Sequence, residues 1–177
     1  MSDKSEKEVP VRRDDLIVSK TDLKGDITYA NRTFMRIANY SEQELLGEPH
    51  SIIRHPDIPR GVFYGMWKAI KSGKEFFGLV KNYTSDKNYY WVFANITPDY
   101  ENGKMIGFFS VRRHAPKAAR KIIEPVYQQM LEMEKGLPAN TAPKTSWSWV
   151  EELIRENYQQ EYEEFILKLY QKHCDED

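Results

Sequence analysis

Arg54, His55 and Asp57 fall in one short stretch, RHPDIP, where Pro56 and Pro59 interrupt them and the apolar, aromatic run GVFYGMW follows. A guanidinium and an imidazole on a proline-stiffened loop could face an anionic or hydrogen-bonding ligand, with Asp57 fixing the loop. The same residues also suit a plain turn, in which Asp57 caps the next helix or bonds its own backbone and Arg54 is its ion-pair partner. Phe63 and Trp67 stand one helical turn apart just beyond. By spacing alone such a pair reads as core. Asn82 and Asn95 lie in runs that read as strands, where asparagine is disfavoured. An inward-facing amide there must have both its donor and its acceptor satisfied. Asn31, between a strand pattern and a helix pattern, reads as a helix cap. None of these groups completes a nucleophile, base and orienter set, and no HExxH occurs, so the chain does not read as an enzyme.

The elements that must position these residues follow from periodicity and punctuation. Residues 1–12 are polar and read as a mobile segment. LIVSKTDL and DITYAN are β-branched runs joined by a glycine turn. Phe34, Ile37 and Ala38 have helical spacing, and Ser41 with Glu44 forms a capping box for a short helix closed by Gly47. EPHSIIR is another short helical piece that must end before Pro56. Pro59 opens a helix with Val62, Phe63, Met66, Trp67 and Ile70 on one face, and Gly73 stops it. Three strands follow, EFFGLVKNYT, YYWVFANITPDY and KMIGFFSVRR, with Asn102-Gly103 as the hairpin turn before the last. Beyond His114 the pattern turns helical. A connector helix is expected over 116–136, kinked or restarted at Pro125, then a linker over 137–145. An amphipathic helix over 146–174 follows, with a capping box at Ser148 and Glu151.

Composition narrows the function classes. Lys+Arg 26 against Asp+Glu 27 gives a net charge of -1, with no basic face for nucleic acid. A mean hydropathy of -0.71 and the absence of a long apolar run argue against a membrane span. The first residues carry no signal-peptide pattern, and Cys174 is the only cysteine, so a reducing cytoplasm is expected, without CxxC zinc or CxxCH haem sites. His50, His55 and His114 keep a haem-binding gas sensor open as an alternative, beside a cofactor-free interaction module.

The order of two strands, short helices and three strands over residues 13–115 resembles a PAS domain, an α+β fold. The resemblance implies a five-stranded antiparallel sheet with short helices on one face, here followed by C-terminal helices. The ordered blocks TDLKGDITYAN, GEPHSIIRHPDIP, GMWKAIKSG, GLVKN, YWVFANITP and GKMIGFFSVRR are similar to the FAD-binding PAS domain of the aerotaxis receptor family. The resemblance implies FAD as cofactor and Asn31, Arg54, His55, Asp57, Phe63, Trp67, Phe76, Asn82 and Asn95 as its surroundings. An amide at Asn82 complements the donor and acceptors of a flavin's pyrimidine edge. Phe76 stands where the family often carries Trp, keeping the aromatic surface and losing the indole N–H. Light sensing through a cysteinyl adduct is excluded, since Cys174 lies outside the domain. The short architecture resembles CetB of the CetA/CetB energy-taxis system. It implies redox signalling in aerotaxis or energy taxis to a chemoreceptor-type, CetA-like partner, and membrane association only through that partner. The C-terminal aromatic stripe could pack back on the domain, form a homodimer or dock on a receptor, and its tyrosines favour an interface.

Overall fold

The structure is a computed structural model that describes residues 5–176. Five antiparallel strands, β1 Ile17–Asp22, β2 Ile27–Ala30, β3 Phe76–Tyr83, β4 Tyr89–Glu101 and β5 Lys104–His114, form one sheet in the order β2-β1-β5-β4-β3. The long β4–β5 hairpin turns at Asn102 and Gly103, both with positive φ, as an Asn-Gly pair permits. Between β2 and β3 lie α1 Arg32–Ala38, α2 Glu42–Leu45, a 3-10 turn His50–Ile53 and α3 Arg60–Lys71. The Ser41–Glu44 capping box forms, and the 3-10 turn ends at Arg54, ahead of the prolines. α3 opens on Pro59 and ends at Gly73, whose φ is 82°.

Strand alternation divides the core in two. Tyr90 and Val92 of β4 face Phe34 and Ile37 of α1, whereas Trp91 and Phe93 point to the other face of the sheet. That outer face is covered by the chain's own C-terminal helices, α4 Lys117–Lys135 and α6 Tyr162–His173. Arg120 lies over Trp91, Tyr127 donates its hydroxyl to the Leu79 carbonyl at 2.7 Å, and Tyr170 stacks on Phe93 at 4.0 Å. α5 Ala142–Tyr158 runs along α3 instead. Gly61 and Gly65 make this approach close: a Cβ at Gly65 would sit 2.3 Å from the Trp147 ring.

Several sequence expectations change here. α4 runs through Pro125 without interruption. Burial of Ala119, Ile123, Tyr127 and Met130 along one face outweighs the lost backbone bond. α5 begins at Ala142, with Pro143 in its first turn, so Ser148 and Glu151 are interior and form no capping box. The expected helix over 146–174 is two helices, broken where Gln159 adopts φ 53°. The aromatic stripe is not a free interaction face, because Tyr162, Phe165, Ile166 and Leu169 are buried against this chain's own core. Of the segment expected to be mobile, residues 1–4 lie outside the described residues, and the remainder is docked. Val9 N–H donates to the Tyr89 carbonyl at 2.7 Å, and Glu8 pairs with Arg120 at 2.7 Å.

Candidate functional site

Between α3, the 3-10 turn and the inner face of the sheet lies a cavity of about 220 Å³. Its walls are mostly apolar: Val62, Phe63, Met66, Trp67 and Ile70 from α3, Phe76 and Val80 from β3, and Phe108 from β5. The indole of Trp67 meets Phe108 edge-on at 5.5 Å. Gly25, at φ 96°, gives this indole its room, since a Cβ there would lie 3.2 Å from the ring. At the rim stand two exposed cations, Lys24 and Arg54. The Arg54 guanidinium sits over Phe63, 3.7 Å from the ring centre, and its backbone bridges to Asn82. Asn82 is buried, lines the cavity and has its amide beside Tyr90.

Further in, Arg112 of β5, Ser19 of β1 and His50 form a chain. Arg112 Nη2 donates to Ser19 Oγ at 2.8 Å, and Ser19 Oγ lies 2.9 Å from His50 Nε2. Burial, with the Arg112 charge adding to it, pushes the His50 imidazole down to about 3, so it is neutral. Burial likewise lowers Arg112 to about 10, which leaves it charged at neutral pH.

The structure therefore brings Arg54, Phe63, Trp67, Phe76 and Asn82 around one cavity and places the other sequence candidates elsewhere. Asn31 caps α1: its Oδ1 accepts from Phe34 N–H and Val18 N–H, and its Nδ2 donates to the Leu16 carbonyl. His55 is buried but turned away from the cavity. Asp57 N–H donates to His55 Nδ1 at 3.1 Å, so Nε2 carries the proton and donates to Glu6 at 3.1 Å. The ring packs on Tyr83 at 4.2 Å. Glu6 also accepts the Tyr83 hydroxyl, and that bond pushes the phenol up to about 12 while it holds the Glu6 carboxyl below its ordinary range. Asp57 pairs with Lys81 at 2.7 Å rather than with Arg54. These two residues hold the loop that presents Arg54. Asn95 sits between Ala94 and Ile96, both of which line the cavity, so alternation turns it to the opposite face, where its Nδ2 finds no partner. Sequence reasoning missed His50 as a wall residue and missed Arg112 and Ser19 altogether.

A model of the PAS fold matches residues 27–112. Residues 27–112 are a PAS domain. The aerotaxis receptor of Escherichia coli K12 is 38% identical over 126 residues, which cover 71% of this chain and 25% of the receptor. The nitrogen fixation regulatory protein of Klebsiella pneumoniae is 31% identical over 88 residues, or 50% of this chain and 18% of the regulator. The match thus spans a quarter or less of each relative's own length. Among solved structures, the dark state of the blue-light photoreceptor Aureochrome1 LOV domain superposes with a TM-score of 0.55 at 20% identity, covering 67% of this chain and 86% of that one. A light-oxygen-voltage domain described with a flavin analogue gives 0.55 at 17% identity, covering 64% and 86%. At such identity these two attest the fold alone.

Two contacts join the PAS cavity to the C-terminal helices. Phe76, a wall residue, stacks on Tyr162 of α6 at 5.7 Å and touches Trp147 of α5 at 6.2 Å. Glu134 of α4, almost wholly buried, accepts from the Arg60 and Gly61 N–H groups at the start of α3 and from the Ser146 hydroxyl of α5. A buried carboxylate there satisfies orphan donors and complements the helix dipole. No described helix is long and apolar enough to cross a membrane.

Proposed function

We propose that this chain is a redox sensor that holds FAD in its PAS cavity and signals from the cytoplasm to a chemoreceptor-type, CetA-like partner. The observation that carries the reading is the cavity itself, an aromatic-walled slot with a few convergent polar groups at one end, Asn82, Arg112 and His50. Its 220 Å³ lies below the roughly 300–1,000 Å³ of whole small-molecule pockets, which suits a fused-ring group rather than an entire dinucleotide. Lys24 and Arg54 at the rim would hold the phosphates outside it. The identity to the aerotaxis receptor supports the same reading, as do the residue blocks that carry the resemblance.

Bound flavin supplies a ring that exchanges electrons and changes charge as it does so. Phe63, Trp67 and Phe76 would pack its faces and exclude water, and Asn82 would orient its pyrimidine edge. A change in that charge bears on groups tied to the C-terminal helices, through Phe76 to α5 and α6 and through α3 to Glu134. The output is then a shift in how those helices dock, a change of population between two packings. His50, the histidine on the cavity wall among the described residues, has its Nε2 engaged by Ser19, which weighs against its service as a haem ligand. Titration of the purified chain with FAD tests the proposal. Saturable quenching of flavin fluorescence at a single site is expected, and a linear, unsaturated response contradicts it.

A further inference from the structure

Every charged side chain that lines the cavity among the described residues is a cation: Lys24, Arg54 and Arg112. The first two are exposed at the rim, where water screens them. Arg112 is different. It lies at the centre of the sheet, 2% exposed, between Ile17 on β1 and Ala94 on β4. It has one hydrogen bond, to Ser19, and its planar group rests on the Phe34 ring at 4.2 Å. Its Nε and Nη1 have no partner, and no carboxylate among the described residues pairs with it. Its nearest titratable neighbours are neutral, with His50 held deprotonated and Tyr90 pushed up to about 12 by burial. An unpaired guanidinium so deep in a protein is costly unless something supplies the missing charge.

We propose that the cavity is built for a ligand that carries or acquires negative charge, and that Arg112 is the charge partner of that ligand. The assignment to a particular edge rests on the flavin reading. There Arg112 would hold the edge formed by ring nitrogen N1 and the C2 carbonyl, beside the edge that Asn82 would orient. Two electrons and one proton added to the oxidised ring leave one negative charge on that edge. In the assay, dithionite supplies the electrons and water the proton. Arg112 therefore holds the reduced ring more tightly than the oxidised one, and it raises the midpoint potential.

Two measurements test this. In the FAD-loaded protein, Arg112→Met lowers the affinity for reduced flavin relative to oxidised flavin at least tenfold, read as a midpoint potential about 30 mV lower by equilibrium dye titration. Arg112→Lys, which keeps the charge, stays close to the wild-type potential. An Arg112→Met protein with bound flavin and an unchanged potential overturns the proposal. The second measurement needs no flavin: the ligand-free Arg112→Met variant melts above the ligand-free wild type, because it loses an unpaired buried charge. A variant that melts lower shows a structural arginine and overturns the proposal by itself. A wild-type chain that takes up no FAD, with a variant that still melts higher, removes the flavin reading and keeps Arg112 as the partner of a different anionic ligand.

Discussion

Arg54 and Asn82 touch through their backbones, so the rim of the cavity and its buried polar group share one attachment between loop and sheet. Their side chains do separate work. Arg54→Ala removes a rim cation, and Asn82→Ala removes a buried amide from the cavity wall. Asn82→Ala is expected to weaken FAD binding by about 1–3 kcal/mol, the usual cost of a lost buried hydrogen bond, and Arg54→Ala, at a water-screened rim, by about 1 kcal/mol or less. The far-ultraviolet circular dichroism should remain that of a folded chain, and full FAD affinity in both variants would take these residues out of the site. His50 makes a pH prediction. Its folded value is about 3 against an ordinary 6.5, so between those limits the unfolded chain holds a proton that the folded chain does not. Stability therefore falls as pH falls through that window, by about 1.4 kcal/mol for each pH unit. Urea melts of the ligand-free protein at pH 6.5, 5.5 and 4.5 should show this slope reduced in His50→Gln, and equal slopes would contradict it. Arg54 and Asn82 were legible in the sequence because their types are unusual for their places. Arg112 was not, since in SVRRH two adjacent arginines look like the solvated end of a strand. Period-two alternation buries one of them without saying which. The same ambiguity of phase turned Asn95 to the wrong face.

The element that matters most is α3, which shows Phe63 and Trp67 to the cavity and Gly61 and Gly65 to the C-terminal helices. Gly65→Ala is a direct probe of that second face. Helix propensity alone favours Ala by up to about 1 kcal/mol. The new methyl, however, would stand 2.3 Å from a buried indole that has little freedom to move, and overpacking of this kind costs about 1–3 kcal/mol. A net loss of stability is expected, read as a lower melting temperature and faster proteolysis within α5, and a stabilised variant would contradict the packing. The strands and short helices of the PAS domain were legible because each has a plain signal: alternation, a capping box, a proline start, an Asn-Gly turn. The C-terminal helices were less so. QQE at residues 159–161 contains neither glycine nor proline, yet the chain breaks there, because tertiary packing places Tyr162, Phe165 and Leu169 against the core.

At the scale of the molecule, helices pack on both faces of the sheet. α3 and the 3-10 turn enclose the cavity on one side, with α1 packed beside them, and α4 and α6 occupy the other over β3 and β4. The β3–β4 part of the outer face is consequently closed to a partner while α4 and α6 stay docked, whereas Tyr29, Tyr100 and Ile106 on the strands remain exposed. The N-terminal strap adds a third tie, since Glu6 holds His55 in the loop of Arg54 and Glu8 holds Arg120 on α4. A change at the cavity can thus reach the C-terminal helices by short, packed routes. All of this has meaning as a sensor only if the cavity takes a flavin. The visible spectrum of the purified chain, supplied with FAD and freed of excess, tests that most directly. A yellow protein is expected, with the paired absorbance bands of bound oxidised flavin, bleached by dithionite and restored by air. A colourless protein after exposure to FAD would contradict it.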